Sequence, residues 1–239
     1  MIPKIIHYCW FGRGKMPQLA LDCIASWKKY LPEYEFMLWN EDSFNIDKYP
    51  YARQAYDHRK FAFVTDLVRM YALYNYGGVY MDTDVEIIKS LDPFLHHKAF
   101  SGFECKDRIP TGLIASEKGG IWVKAMLDEY NGRNFILEDG TMDLSTNVKT
   151  ITNYMLNRGL VLNNEYQDLG DIVLYPSDFF CPCDWETKIL KQTKNTVCIH
   201  HFAGSWRPKL PRVMKFKQWL CDTMPFVFMV LHKIKHRYA

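Results

Sequence analysis

Two carboxylates stand one residue apart in Asp82-Thr83-Asp84. Held on one face at close range they repel, and the usual relief is a divalent cation bound through oxygen ligands. Such a cation holds a diphosphate and offsets the negative charge that develops on a nucleoside diphosphate as it departs. In isolation the same tripeptide is more often a pair of exposed turn residues capping a strand. Upstream, Asp66 and Arg69 lie three apart. On a helix that spacing puts them on one face, where the fixed fork of arginine donors suits a phosphate or a sugar. A surface ion pair is the plainer reading of these two residues alone.

The elements around these residues are legible. Phe63, Val64, Leu67, Val68, Tyr71 and Tyr74 recur at spacings of three and four, an apolar helical stripe that stops at Gly77-Gly78. Val79 to Val85 then reads as a strand, with Tyr80, Asp82 and Asp84 on one face and Val79, Met81, Thr83 and Val85 on the other. Residues 4–11, bounded by Pro3 and Gly12, read as a buried strand, and Glu35 to Trp39 as a second. Between them, residues 17–30 predict a helix with Leu21, Ile24, Ala25 and Trp27 on its inner side. Strand, helix and strand in succession imply a right-handed crossover in an α/β layered domain. Further strands are expected at 173–176 and 196–202, while residues 104–120 and 131–147 read as loops shaping an acceptor site.

Composition excludes several classes of function. The 239 residues are 48% hydrophobic and 24% charged, the balance of a folded globular chain. A net charge of +3 does not call for nucleic acid as a partner. Its distribution is uneven, with +7 on residues 205–239 and −4 on the rest. The longest apolar run, Met224 to Leu231, falls far short of the ~20 residues needed to span a bilayer. Seven scattered cysteines imply no disulfide framework, and Cys181 and Cys183 form only one C-x-C pair where a tetrahedral zinc site usually has two. The N-terminus lacks the pattern of a secretory signal, so a cytoplasmic location is expected. The basic tail, with Trp219, Phe226, Phe228 and Leu231 among its lysines, predicts peripheral contact with anionic lipid on the inner membrane face.

Thr65-Asp66-Leu67-Val68-Arg69, Tyr74, Gly77-Gly78-Val79-Tyr80 and Asp82-Thr83-Asp84 together resemble the signature of glycosyltransferase family 32, the sugar-binding D-x-D group, and similar motifs occur in the clostridial glucosylating toxins. Residues 2–10 are similar to the family's first strand, and residues 200–206 to its closing motif. The resemblance implies a GT-A type nucleotide-diphospho-sugar transferase fold, a Rossmann-like mixed sheet flanked by helices, over residues 1–207, with residues 208–239 as a tail. It also implies Mn²⁺ or Mg²⁺ and retention of the anomeric configuration. The expected donor is a UDP-hexose, with GDP-mannose as the alternative, and the expected acceptor is a glycan or lipid-linked glycan of a capsular polysaccharide or lipopolysaccharide.

Carried over by position, Asp84 binds the metal, Asp82 touches metal or ribose, and Asp66 and Arg69 face the donor sugar. Gly78 and Tyr80 fall in the nucleotide-sugar motif, Tyr8 and Trp10 pack against the base, and Ser205 and Trp206 approach the diphosphate. His200, in preference to His201, completes the metal sphere, and Asn147 or Asp143 is a candidate contact to the sugar. No separate nucleophile is evident, which favours front-face attack. The competing classes are a haloacid dehalogenase-type Mg²⁺ phosphatase, whose D-x-D motif continues differently after the second aspartate, and a non-catalytic carbohydrate-binding protein, which has no need of four charged residues at these spacings.

Overall fold

A computed structural model describes residues 1–105, 108–110, 112–185 and 187–204. Nine strands and six α-helices are present among them: β1 (Ile5–Cys9), α1 (Gln18–Tyr30), β2 (Glu35–Trp39), α2 (Pro50–Asp57), α3 (Phe61–Tyr76), β3 (Gly78–Met81), β4 (Val85–Ile87), β5 (Ala99–Gly102), β6 (Leu113–Ser116), α4 (Ile121–Asp128), α5 (Asn147–Leu156), β7 (Gln167–Asp168), β8 (Val173–Tyr175), α6 (Ser177–Phe180) and β9 (Cys198–His200). Seven strands form one sheet in the order β2-β1-β3-β6-β5-β8-β7, and β4 pairs with β9 in a small second sheet. In the large sheet β1 runs parallel to β2 and β3, and β5 parallel to β8, while the other pairs are antiparallel. This is the mixed α/β sheet with helices on both faces that the sequence led us to expect.

Strand alternation divides the core between those faces. Tyr80 and Ile114 point to the side of α3, α4 and α5, whereas Val79, Met81, Leu113 and Ala115 point to the side of α1. The helix α3 is buried nearly all round, with Val64, Leu67, Val68, Met70, Ala72 and Leu73 fully enclosed. Each of the larger of these side chains contributes on the order of 1.5–3 kcal/mol, which secures the helix that carries Asp66 and Arg69. It ends at Gly77, whose φ of 68° suits glycine, and Gly78 follows with φ 112°. A Cβ at Gly78 would lie 2.6 Å from the Ile5 carbonyl oxygen, so β3 reaches β1 only because residue 78 lacks a side chain.

Four readings of the sequence require correction. The strand expected over 79–85 stops at Met81, the chain turns with Val85 N–H donating to the Asp82 carbonyl, and β4 enters the second sheet. Pairing of Val85 with His200 in β9 draws the chain out of the large sheet. The inner face of α1 is Ala20, Cys23 and Trp27, whereas Leu21 and Ala25 are exposed. Trp27 sets that rotation, since its buried indole N–H donates to the Val85 carbonyl at 2.6 Å. Residues 104–120 are not all loop: they contain β6, inserted between β3 and β5. The N-terminal strand is also shorter than residues 4–11. The C-terminal tail lies outside the described residues.

Candidate active site

The end of β3, the N-terminal half of α3 and the end of β9 enclose a cavity of about 640 Å³. Asp66 and Arg69 enter it from α3, both buried, with Arg69 Nη2 3.1 Å from Asp66 Oδ1 and 3.5 Å from Asp82 Oδ1. Tyr80, two residues before Asp82, donates its hydroxyl to Asp82 Oδ1 at 2.8 Å. The Arg69 guanidinium lies 4.6 Å from the centre of the Tyr80 ring. One buried cation is thus shared by two carboxylates and an aromatic face. Burial raises the Asp66 pKa to about 6; Arg69 opposes the rise, and Asp82 adds to it. Burial alone would lower the Arg69 pKa, but Tyr80, Asp82 and Asp66 together hold it above the ordinary value.

Asp82, Asp84 and His200 each offer one ligand atom, and these atoms lie within 4.8 Å of one another. No other such group of three occurs among the described residues. His200 Nε2 is 3.3 Å from Asp84 Oδ1. The second oxygen of Asp84 accepts the Ala203 N–H at 2.7 Å, and its backbone carbonyl accepts the His201 N–H. Burial would raise the Asp84 pKa, but the His200 contact and the Ala203 N–H outweigh it and hold the carboxyl below its usual range. The opposite balance acts on His200, where burial lowers the pKa and Asp84 more than restores it. Nδ1 of His200 is buried with no partner among the described residues, and a Cβ at Gly112 would lie 2.8 Å from it. Two carboxylates and an imidazole that converge from a turn and a strand fit Mn²⁺ or Mg²⁺, with the nitrogen better suited to Mn²⁺.

The remaining candidates divide. His201 turns away and sits 2.9 Å from Glu86 Oε2, so of the two histidines it is His200 that meets the aspartates. Trp10 lines the cavity and donates its indole N–H to the Gly14 carbonyl. Tyr8 points to the opposite face of β1 and packs edge-on against Trp27 at 5.4 Å, so Cys9, Trp10 and Phe11 form that wall. Gly78 lies at the far end of β3, outside the lining. Asn147 lines the cavity, but its amide is already used: Nδ2 donates to the Asp66 carbonyl, and Oδ1 accepts the Tyr130 hydroxyl. Asp143 instead pairs with Arg133 at 2.6 Å. Ser205 and Trp206 fall outside the described residues.

Sequence reasoning missed Lys60, Phe61, Glu104, Arg108, Trp185 and Phe202, which also line the cavity. Glu104 and Arg108 lie in a stretch without periodicity, and only the placement of β6 brings that stretch to the end of β3. For Phe61 the start of the helical stripe was a usable signal.

Residues 17–101 match the family described as "Glycosyltransferase sugar-binding region containing DXD motif". The chain is 34% identical over 122 residues to inositol phosphoceramide mannosyltransferase 3 of Schizosaccharomyces pombe, covering 49% of this chain and 34% of that protein. It is 30% identical over 104 residues to a mannosyl phosphorylinositol ceramide synthase of Saccharomyces cerevisiae, covering 42% of this chain and 27% of the relative. The chain therefore spans about a third of the length of the curated relatives it matches. A solved glycosyltransferase involved in the glycosylation of the major capsid of PBCV-1 superposes with TM-score 0.49 at 14% identity, over 84% of this chain and 95% of that one. The matched region contains α3, the D-x-D turn and both charged residues of the helix, and over this region the chain is similar to the glycosyltransferase family with the sugar-binding DXD motif.

Proposed function

We propose that the protein is a metal-dependent, retaining glycosyltransferase that moves a hexose from a nucleotide diphospho-sugar to a glycan or lipid-linked acceptor. The observation that carries this reading is the convergence of Asp82, Asp84 and His200 in the cavity that also holds Asp66 and Arg69. Mannose is the hexose supported by the names of the relatives. A bound divalent cation supplies charge neutralisation for a departing nucleoside diphosphate. Asp82, Asp84 and His200 hold it, Arg69 and Tyr80 fix Asp82, and Asp66 presents a carboxylate to the sugar hydroxyls. The surrounding Trp10, Phe61 and Trp185 exclude water and orient the donor. Each aspartate of the cavity already has such a role, which favours front-face attack inside an ion pair, with positioning and electrostatic stabilisation as the protein's contribution. The basic tail suits an acceptor presented at an anionic membrane surface.

Thermal unfolding with UDP or GDP, each with Mn²⁺ or with a chelator, tests the donor site. Saturation at a hundred times Kd stabilises by about 2.7 kcal/mol, worth roughly 5–10 °C in a chain of this size. A shift with one nucleotide, abolished by chelation, is expected and identifies the base. Absence of a shift with either nucleotide would remove the reading.

A further inference from the structure

The strand β9 delivers His200 to the aspartates, but a strand of three residues does not by itself hold the segment that follows it. After His200 the chain takes a left-handed step at Phe202, φ 52°, a conformation that bulky side chains rarely adopt. The ammonium of Lys188 meets two successive carbonyls there, His201 O at 3.2 Å and Phe202 O at 2.7 Å. With both carbonyls turned to the lysine, the next amide points the other way, and the Ala203 N–H reaches Asp84 Oδ2 at 2.7 Å. The same step lays the Phe202 ring on the His200 imidazole, with ring centres 4.1 Å apart and planes 26° apart. Lys188 Nζ sits 5.3 Å from the centre of that ring. Lys188 is itself held on the loop before β9, where its N–H donates to the Asp184 carbonyl at 2.8 Å.

We propose that Lys188 is a positioning residue for the cation site: by gathering the His201 and Phe202 carbonyls, it maintains the backbone step that stacks Phe202 on His200 and aims the Ala203 N–H at Asp84. It is not among the residues that line the cavity, and its effect is transmitted through His200 and Asp84, the two side chains that would do the binding. The ordering of ligands by outer residues is worth about 10- to 100-fold in metal affinity. The inference rests on the proposed use of Asp82, Asp84 and His200 as a cation site, but its test does not depend on transfer activity.

The experiment is titration of the full chain with Mn²⁺ alone, followed by electron paramagnetic resonance of the free ion, in wild type, Lys188→Met, Lys188→Arg and Phe202→Leu. Lys188→Met keeps the aliphatic stem and removes the donors, and it is expected to weaken Mn²⁺ about 10- to 100-fold while the melting temperature stays within a few degrees. Lys188→Arg retains cationic donors and is expected to bind within about threefold of wild type, since ordering rather than packing is restored. Phe202→Leu leaves the lysine contacts in place but removes the ring from His200, and it is expected to weaken Mn²⁺ as well. Wild-type affinity in Lys188→Met, or equal losses in Lys188→Met and Lys188→Arg, would overturn the proposal. If Lys188→Met does not fold, wild-type affinity in Phe202→Leu would do so. No binding by the wild type would instead remove the cation site and with it the metal-dependent reading of function.

Discussion

Asp84 and His200 meet at 3.3 Å across the small sheet, one from the turn that precedes β4 and the other from the end of β9. Neither residue has the other's company in the sequence, and the antiparallel pairing of Val85 with His200 creates the contact. Because each shifts the other's pKa in opposite directions, the pair behaves as one acidic-basic unit that a cation can divide.

Replacing the carboxylates with amides keeps their shape and removes their charge. Asp82→Asn with Asp84→Asn is expected to lower transfer by about a hundredfold or more, the scale of losing a major electrostatic stabiliser. Circular dichroism should remain that of the wild type. The nucleotide-induced melting shift should vanish in the same variant, and its survival would contradict the assignment.

Arg69 is the counter-charge of two acids, and its removal exposes both. Arg69→Met is expected to cost about 3–5 kcal/mol, because a broken buried pair leaves an uncompensated charge. That corresponds to a fall in melting temperature of roughly 10 °C. Adding Asp66→Asn should recover part of the loss, since the unpaired carboxylate is then neutral. A double variant that loses the sum of the two single effects would show that Arg69 and Asp66 act independently.

His7 predicts an acid limb in stability. Trp39 Nε1, which can only donate, lies 3.1 Å from Nδ1, so the proton is on Nε2, which donates to the Gly77 carbonyl at 2.7 Å. Burial pushes its pKa down to about 4, partly opposed by the Gly77 carbonyl. The folded state therefore binds fewer protons than the unfolded state between that value and the ordinary 6.5. Its contribution is present above pH 6.5 and is lost as pH falls towards 4, by roughly 3 kcal/mol. His7→Gln should be less stable at pH 7 but show a shallower decline from pH 7 to pH 4.5 in urea melts. Parallel declines would refute the assignment.

Gly78 separates a structural role from a binding one. With φ 112°, and with the Ile5 carbonyl oxygen 2.6 Å from where an alanine methyl would lie, Gly78→Ala is expected to destabilise by about 1–3 kcal/mol. Because Gly78 lies outside the cavity lining, the nucleotide Kd of the folded variant should match the wild type. A weakened Kd at unchanged stability would return Gly78 to the donor site.

The tail offers a prediction on its charge alone. Deleting residues 208–239 removes most of the +7 concentrated at that end and should abolish co-sedimentation with anionic liposomes. Unchanged binding would locate any membrane contact in the body.

What the sequence alone determined follows from local periodicity. The helix α3, its stop at Gly77-Gly78, the span of β2 and the i,i+3 pairing of Asp66 with Arg69 all depend on neighbours a few residues away, and the structure has each of them, although α3 is enclosed nearly all round rather than along one stripe. The tertiary structure decided the rest because the interactions involved are distant in the chain. Pairing with β9 ended β3 at Met81 and turned Asp82 and Asp84 toward His200, and the Trp27–Val85 hydrogen bond set the buried face of α1. Insertion of β6 between β3 and β5 brought Glu104 and Arg108 to the cavity. The parity of β1 sent Tyr8 to the opposite core, since a strand can present only alternate side chains to a site.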